Sequence, residues 1–241
     1  MKICVAQTKP IKGNIQKNIE NHIRLIKLAV SEEADVIIFS ELSLTGYEPE
    51  LAQKLAVNKE DTRFDDFQKI SSVDQIIIGV GLPIKKGTGV CIGMLIFHPD
   101  KERQVYFKQY LHAGEDEFFS SGNNLINLIY GESIAPAICY ELSVPMHSER
   151  AFKRGAAFYM ASVVESVEGV DKSIEKLAEI AKKYSMTVFM SNCISKTGIY
   201  NAAGKTSIWN KKGELLKQLN HNKEGVLILD TASDKTLSKY L

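Results

Sequence analysis

The chain has 241 residues, of which 44% are hydrophobic and 24% are charged. These fractions are near the average of globular proteins, so they argue against a disordered chain and predict a proper core. Thirty basic residues stand against 29 acidic residues, which gives a net charge of +1. Proteins that bind by neutralising phosphates carry a clear basic excess, so we do not expect nucleic acid as a partner.

Apolar runs are short throughout the chain. The first ten residues hold too short a run for a signal peptide. The longest runs, residues 36–39 and 76–82, fall far short of the roughly 18 residues of a membrane helix. The sequence therefore predicts a cytoplasmic protein with no membrane partner.

The cysteine pattern predicts free thiols. Cys4, Cys91, Cys139 and Cys193 are widely spaced and form no CxxC pair. In a chain without an export signal, this pattern favours neither disulfide bonds nor a metal site. We therefore expect no metal, and each cysteine must be judged by its own surroundings.

Strand-like and helical patterns alternate along the chain, which predicts an α/β fold. Asn14 is placed to cap a helix with an apolar stripe from Ile15 to Val30. The other predicted helices cover residues 63–70, 145–154 and 172–184, and the predicted strands cover 2–8, 36–39, 75–82, 90–97, 104–107, 125–130, 134–138, 157–161 and 187–191. Strand-like runs at 206–209, 214–219 and 226–229 predict a closing β-meander. No linker or repeat interrupts the pattern, so residues 1–241 are predicted to form a single domain.

Reactive side chains follow three of the predicted strands. Glu41 comes after the run 36–39, Lys108 after 104–107, and Cys139 after 134–138. Ligand sites of α/β sheets collect beyond the carboxyl ends of strands, so these three can converge. Amide hydrolysis by a thiol needs a nucleophile, a proton acceptor and a positive charge for the oxyanion. We also expect Lys108 to lower the pKa of Cys139 below its reference value of about 8.5.

The motifs around these residues resemble those of the nitrilase-like carbon-nitrogen hydrolases. The matching segments are FSELSLTGY around Glu41, K-x-x-L at Lys108, C-Y-E at Cys139, GKTSIW from Gly204, and the terminal EGVLILD. The resemblance spans nearly the whole chain. It implies an α/β fold in a four-layer α-β-β-α sandwich, no cofactor, and a homodimer or higher homo-oligomer.

The same resemblance implies the roles of the residues. Cys139 would be the nucleophile that forms an acyl-thioester, Lys108 the electrophilic catalyst and Glu41 the general base. A second glutamate is expected in the loop after the lysine, where the spacing to the Phe-Phe pair favours Glu115 over Asp116 or Glu117.

The expected substrate is a small linear amide or N-carbamoyl amine, with release of ammonia. Tyr47, Tyr140 and Ser162 are the candidate substrate-binding residues, together with Cys193 and the segment 195–200 as candidates that shape the pocket. The backbone N–H of Tyr140 is expected to help Lys108 hold the oxyanion. A nitrile hydrolase is disfavoured, because the resemblance would then favour tryptophan after the cysteine. Departures from the family pattern at residues 143–146 and 209–213 leave the particular amide open.

Other interpretations remain open at this point. Taken singly, Glu41 could be a solvated loop residue, Lys108 a surface lysine and Cys139 a small apolar core residue. A Cys-His enzyme with His112 or His147 as base is disfavoured, because Ala137 and Glu141 stand where a nucleophile elbow has glycines. A non-catalytic binding or scaffold protein with the same fold is the remaining alternative, and ammonia release separates it from an enzyme.

Overall fold

Helices and strands alternate along most of the chain. The structure, a computed structural model, describes residues 1–122, 129, 133–197 and 200–241, and only the backbone of 195–197 and 200. The helices are α1 (Ile15–Ser31), α2 (Ala52–Leu55), α3 (Asp65–Asp74), α4 (Pro145–Lys153) and α5 (Val170–Tyr184). The strands are β1 (Lys2–Gln7), β2 (Val36–Ile38), β3 (Ile77–Lys86), β4 (Gly89–Phe97), β5 (Gln104–Phe107), β6 (Ile134–Ile138), β7 (Phe158–Ser162), β8 (Thr187–Ser191), β9 (Ile194–Thr197), β10 (Tyr200–Ala203), β11 (Ser207–Trp209), β12 (Leu215–Gln218), β13 (Gly225–Asp230) and β14 (Lys235–Tyr240).

The strands form two large sheets and one hairpin. The first sheet has the order β14-β13-β1-β2-β3-β4-β5, the second has the order β12-β11-β8-β7-β6, and β9 pairs with β10. Strands β1, β2 and β3 run parallel, as do β6, β7 and β8. Parallel neighbours bring their carboxyl ends to one edge of each sheet, where Glu41 and Cys139 follow β2 and β6.

Three apolar cores separate four layers. One core lies between the sheets and joins residues such as Val5 and Ile38 to Ile138 and Met160. A second lies between the first sheet and helices α1 and α3, and a third between the second sheet and α4 and α5. The central strands are buried on both faces, which explains their continuous apolar runs. This arrangement is the predicted α-β-β-α sandwich.

Helix α1 begins where the sequence predicts. The Asn14 side chain accepts a hydrogen bond from the backbone N–H of Lys17 at 3.2 Å, which satisfies one of the free donors of the first turn. None of the helices in the described ranges is long and apolar enough to cross a membrane.

The tail departs from the predicted meander. Strands β11 and β12 extend the second sheet, whereas β13 and β14 belong to the first sheet, where β13 pairs antiparallel with β1. Five of the six residues of β13 are buried, so this strand needs partners on both sides and cannot lie at the end of a meander. The sequence pattern also missed β14 and the β9–β10 hairpin. The strand predicted over 125–130 lies outside the described residues apart from Ile129, which pairs with Ile134.

Two serine hydroxyls connect the sheets. Ser162 at the end of β7 donates to the carbonyl oxygen of Phe39 at 2.7 Å, and Ser191 at the end of β8 donates to that of Ala6 at 2.6 Å. Ser162 and Ser191 are direct neighbours across β7 and β8. The two hydrogen bonds therefore fix how the carboxyl edges of the two sheets lie against each other.

Candidate active site

Glu41 is held in a tight turn after β2. Leu42 has a left-handed φ of +50°, and the Ser43 hydroxyl accepts a hydrogen bond from the backbone N–H of Gly81 at 3.2 Å. A Cβ atom on Gly81 would lie 2.5 Å from both Ser40 O and Leu42 N. Only glycine therefore lets β3 approach the turn this closely. The turn buries Glu41, which is 2% exposed.

His22 supports this turn from α1. Its Nε2 lies 2.9 Å from the Ser43 hydroxyl, and its ring stacks on Phe39 at 4.1 Å between centroids. Burial lowers the pKa of His22 to about 3, so the ring is neutral at physiological pH. Sequence reasoning missed this contact, because a lone histidine in an amphipathic helix gives no signal for a specific partner.

Lys108 joins two carboxylates. It follows β5, its side chain is fully buried, and its Nζ lies 2.8 Å from Glu41 Oε1 and 2.8 Å from Glu115 Oε1. Glu115 is held in turn, because its Oε1 accepts from the Tyr47 hydroxyl and its Oε2 from the backbone N–H of His112, each at 2.8 Å. The structure thus brings Glu41, Lys108 and Glu115 together in one hydrogen-bonded group.

The charges in this group act on one another. Burial raises the pKa of Glu41 to about 7, against the opposing effect of Lys108, and Glu115 adds to the rise. Burial alone would lower the pKa of Lys108, but Glu41, Cys139 and Glu115 together hold it above its ordinary value. Lys108 is therefore a permanent cation, while Glu41 can gain and lose a proton near neutral pH.

Cys139 occupies the first position after β6 with a left-handed φ of +45°. It is half-buried, whereas Cys4, Cys91 and Cys193 are buried. Left-handed backbone is unusual for a residue with a Cβ, and it is found where a side chain must be presented at a sharp turn. The turn presents the thiol beside Glu41 and Lys108, whose charges both act on its pKa.

The expected drop in the pKa of Cys139 is wrong. Burial raises the pKa of the thiol above its ordinary value, and the Glu41 charge adds to the rise, whereas Lys108 opposes it. One lysine cannot outweigh desolvation together with the surrounding carboxylates. The resting thiol is therefore protonated. Glu41 Oε2 is buried and has no hydrogen-bond partner among the described residues. The Cys139 thiol nevertheless lies close to the Glu41 carboxylate, and its effect lowers the pKa of Glu41 slightly.

Glu141 connects the segments that carry Lys108 and Cys139. Its Oε1 accepts from the backbone N–H of Gln109 at 2.6 Å, and its Oε2 accepts from that of Ile138 at 2.7 Å. The Tyr106 hydroxyl donates to the same Oε2 at 2.7 Å. The sequence predicts none of these contacts, because Glu141 enters there only as part of the C-Y-E motif and as a residue that stands where a nucleophile elbow has glycine.

His147 lies behind Glu141 and is not placed as a base for the thiol. His147 Nε2 lies 2.8 Å from the Tyr106 hydroxyl and Nδ1 lies 2.8 Å from the Tyr159 hydroxyl. Burial lowers the pKa of His147 to about 3, so the ring is neutral. His112 is exposed, and its ring meets Tyr140 edge to face at 5.4 Å.

The candidate substrate-binding residues have different surroundings. Tyr140 follows Cys139 directly and is 39% exposed. Tyr47 is buried and bound to Glu115, while Ser162 is 1% exposed with its hydroxyl proton used in the bond to Phe39. Tyr47 and Ser162 thus use their hydroxyl groups in hydrogen bonds within the protein. Cys193 is 1% exposed, and the side chains of residues 195–200 lie outside the described part of the structure.

Two further observations concern metal binding and the position of the substrate. Within the described ranges, no group of three or more His, Cys, Asp and Glu side chains lies together as a metal site requires. A cavity of about 700 Å³ opens beside β5 between Arg103 and Arg154, but none of Glu41, Lys108 and Cys139 lines it. We therefore do not place the substrate there.

Comparison with known proteins identifies the family of this chain. The family model described as carbon-nitrogen hydrolase matches residues 2–237. The chain belongs to the carbon-nitrogen hydrolase family.

Solved structures of an amidase share the fold. The NitN amidase from Neterenkonia sp. AN1 superposes with a TM-score of 0.85 at 20% identity, over 95% of this chain and 92% of the amidase. A cysteine-to-alanine mutant of the amidase from Nesterenkonia sp. AN1, in complex with butyramide, gives 0.86 at 20% identity over 97% and 92%. A further mutant, with the acetamide moiety of fluoroacetamide added covalently at its active-site cysteine, gives 0.86 at 19% identity over 95% and 90%.

The curated relatives are longer proteins. A glutamine-dependent NAD(+) synthetase from Aquifex aeolicus is 26% identical over 71% of this chain and 31% of its own length. The corresponding enzyme from Thermotoga maritima is 20% identical over 98% of this chain and 43% of its own length. The chain thus spans less than half of the relatives that it matches.

Proposed function

We propose that this chain is a thiol amidohydrolase that cleaves the C–N bond of a small linear amide or N-carbamoyl amine through an acyl-thioester on Cys139. The observation that carries the proposal is the position of Lys108, which is fully buried and lies 2.8 Å from both Glu41 and Glu115. Ion pairs in the interior cost more desolvation energy than they return in stability. A buried cation shared by two carboxylates beside a thiol therefore favours a catalytic role.

The first half of the reaction forms the acyl-enzyme. Glu41 takes the proton of the Cys139 thiol, and the thiolate attacks the amide carbon. The carbonyl electron pair moves to oxygen, where Lys108 Nζ and the backbone N–H of Tyr140 stabilise the negative charge. When the carbonyl re-forms, the C–N bond breaks, and Glu41 gives its proton to the leaving nitrogen as ammonia.

The second half releases the acid. Glu41, again a carboxylate, takes a proton from water, and the resulting hydroxide attacks the thioester carbon. The C–S bond then breaks, the thiolate regains the proton from Glu41, and the carboxylic acid leaves. Glu115 holds Lys108 throughout, since it accepts from Lys108, Tyr47 and the backbone of His112.

The pKa values of Glu41 and Cys139 support the roles of base and nucleophile in this proposal. With the pKa of Glu41 raised to about 7 and that of Cys139 raised above its ordinary value, the resting pair is a carboxylate and a neutral thiol above pH 7. The carboxylate can therefore act as the general base, and the thiolate forms only when a substrate is attacked.

Ammonia release tests the proposal directly. Purified protein should release ammonia from butyramide or another short linear amide, and intact-mass spectrometry should show the acyl group on Cys139. The Cys139→Ala variant should do neither, while Cys91→Ala, which removes a buried cysteine of β4, should do both. A folded wild-type protein that hydrolyses no linear amide or N-carbamoyl amine would contradict the proposal and favour a binding protein.

The homodimer that the family resemblance implies is part of the same proposal. Helix α4 exposes Met146 and Phe152, which are 51% and 49% exposed. These two side chains mark the surface to be tested for a contact between two copies of the chain. Sedimentation of wild type and of Met146→Glu distinguishes a dimer through this helix from a monomer.

A further inference from the structure

The loop after β7 lies at the same edge of the second sheet as the nucleophile. Strands β6 and β7 run parallel with Ile138 opposite Ser162, so the chain leaves both strands at the same level. Cys139 follows the first strand, and Glu165 lies in the loop that follows the second. Glu165 is therefore a neighbour of the active site, although no sequence motif marks it.

The backbone of Glu165 is fixed on both sides. Its N–H donates to Asn192 Oδ1 at 3.0 Å, and its carbonyl oxygen accepts from Asn192 Nδ2 at 3.2 Å. The same carbonyl also accepts from the backbone N–H of Ala203 at 2.9 Å. These bonds to β10 and to the end of β8 hold the carboxylate at a defined place, as a specificity group requires.

The Glu165 side chain is only partly satisfied. Its Oε1 accepts a hydrogen bond from the Ser173 hydroxyl at 2.7 Å. Its Oε2 lies near Gly169, 3.2 Å from where a Cβ of that residue would be. In the described part of the chain, no lysine, arginine or histidine forms an ion pair with this carboxylate. Burial raises the pKa of Glu165, against the milder opposite effects of Ser173, Lys176, His112 and Lys108.

The charges around Cys139 are predominantly negative. Glu41, Glu165 and Glu115 all raise the pKa of its thiol, and only Lys108 lowers it. Lys108 is already shared between Glu41 and Glu115, and Lys176, His112 and Lys108 offset the Glu165 charge only mildly. A substrate that carries a carboxylate would be repelled at this site, whereas a substrate that carries an ammonium group would be attracted.

We propose that Glu165 binds a protonated amine of the substrate, so that the preferred substrate is a linear amide or N-carbamoyl amine with a cationic end. This inference rests on the proposed function. The carboxylate would pair with the ammonium group through Oε2, while Ser173 keeps Oε1 in place. Linear substrates fit this arrangement because the cation and the scissile carbonyl lie at opposite ends.

Three probes of similar length test the proposal. δ-Aminovaleramide carries an ammonium group, hexanamide carries a methyl group in its place, and the monoamide of glutaric acid carries a carboxylate. Wild type should have its highest kcat/KM for δ-aminovaleramide. Glu165→Gln keeps the shape and removes the charge, so kcat/KM for δ-aminovaleramide should fall by about tenfold while that for hexanamide stays within about twofold.

Glu168→Gln is the matched control. Glu168 is exposed in the same loop, so its substitution removes one negative charge without changing the proposed contact. The ratio of kcat/KM for δ-aminovaleramide and hexanamide should not change in this variant. Pentylamine should likewise inhibit wild type and Glu168→Gln competitively, and inhibit Glu165→Gln about tenfold more weakly.

Several outcomes overturn the inference and leave the proposed function intact. One is a wild type that hydrolyses hexanamide or the glutaric monoamide better than δ-aminovaleramide. Another is a Glu165→Gln variant whose ratio of kcat/KM for δ-aminovaleramide and hexanamide is unchanged. The third is a Glu168→Gln variant in which this ratio falls as much as in Glu165→Gln. Failure to hydrolyse all three probes and any N-carbamoyl amine would instead overturn the proposed function itself.

Discussion

Ser162 donates a hydrogen bond of 2.7 Å to the carbonyl oxygen of Phe39, and this bond links the strand beside Cys139 to the residue that precedes the Glu41 turn. We expect Ser162→Ala to lower kcat by about tenfold or more with little change in KM, because a small displacement of the base from the nucleophile slows proton transfer. The free energy of unfolding should fall by about 1–3 kcal/mol, since the Phe39 carbonyl loses its buried donor.

Ser191→Ala separates the effect on kcat from the effect on stability. Ser191 makes the equivalent bond to Ala6 at 2.6 Å, on a strand pair that carries neither Glu41 nor Cys139 and one strand further from β6 in the second sheet. It should lose similar stability in urea unfolding and keep kcat within about twofold. An equal loss of kcat in both variants would show that the bond acts only through stability.

The pKa of Glu41 predicts the acid limb of the pH profile of kcat/KM. With the pKa of Glu41 raised by burial to about 7, the carboxylate that acts as base is present above this pH and lost below it. We expect kcat/KM to rise through pH 7, with an apparent pKa that belongs to the coupled Glu41, Lys108 and Glu115 group. Glu41→Gln should lower the acylation rate by about 10² to 10⁴ and remove this limb. A limb near pH 7 that persists in this variant would assign it to another group.

Alkylation of Cys139 should depend on Glu41. Cys139 is half-buried while the other three cysteines are buried, so iodoacetamide should label it first. Because burial and the Glu41 charge raise the pKa of the thiol, labelling should be slow near neutral pH, and Glu41→Gln, which removes that charge, should be labelled faster. Peptide mapping of the labelled protein shows which cysteine reacts first and how fast Cys139 reacts in wild type and in Glu41→Gln. Faster labelling of Cys193 in folded protein would contradict the exposure that the structure gives.

Lys108 should not tolerate arginine. An ammonium group meets a single oxyanion, whereas a planar guanidinium is larger and suited to paired acceptors. We expect Lys108→Arg and Lys108→Ala both to lose at least about 10² to 10³ in kcat, the usual loss for one oxyanion donor. The rate of acyl-enzyme formation, measured by mass spectrometry after rapid quenching, should fall equally in both variants. An unchanged rate in Lys108→Arg would make Lys108 a structural residue.

Glu141 should make stability depend on pH. Burial raises the pKa of Glu141 to about 7 from an ordinary value of 4.5, so the folded protein binds a proton that the unfolded chain releases. The free energy of unfolding should therefore fall as pH rises from about 4.5 to 7, by up to about 3 kcal/mol for this group. Urea unfolding of Glu141→Gln should show a weaker fall over this range. It should also show lower stability at low pH, because the amide nitrogen would face a backbone donor.

Local pattern predicted the strand ends well, because buried parallel strands have continuous apolar runs that stop where the chain turns. The positions of Glu41, Lys108 and Cys139 after β2, β5 and β6 follow from that rule alone. The four-layer arrangement required the family resemblance, since periodicity does not say which strands share a sheet. That is why the tail was predicted as one meander, although β13 pairs with β1.

Electrostatics were predicted less well than positions. Lys108 was expected to lower the pKa of Cys139, but the pKa depends on burial and on every nearby carboxylate, including Glu165. Glu165 is far from the motifs in sequence and reaches the site only through the pairing of β6 with β7. Ser162 is predicted as a residue that shapes the pocket, and the sequence gives no signal for the hydrogen bond that its hydroxyl donates to Phe39.

The backbone at Cys139 has a consequence for how this chain can change over many generations. Its φ of +45° is a conformation that costs a residue with a Cβ roughly 1–2 kcal/mol, and glycine would avoid most of that cost. Selection for thermal tolerance alone would therefore favour losing the thiol, and only selection for turnover opposes it. In a lineage that no longer needs the reaction, this position should be among the first to drift, while the surrounding sheets persist as an inert scaffold.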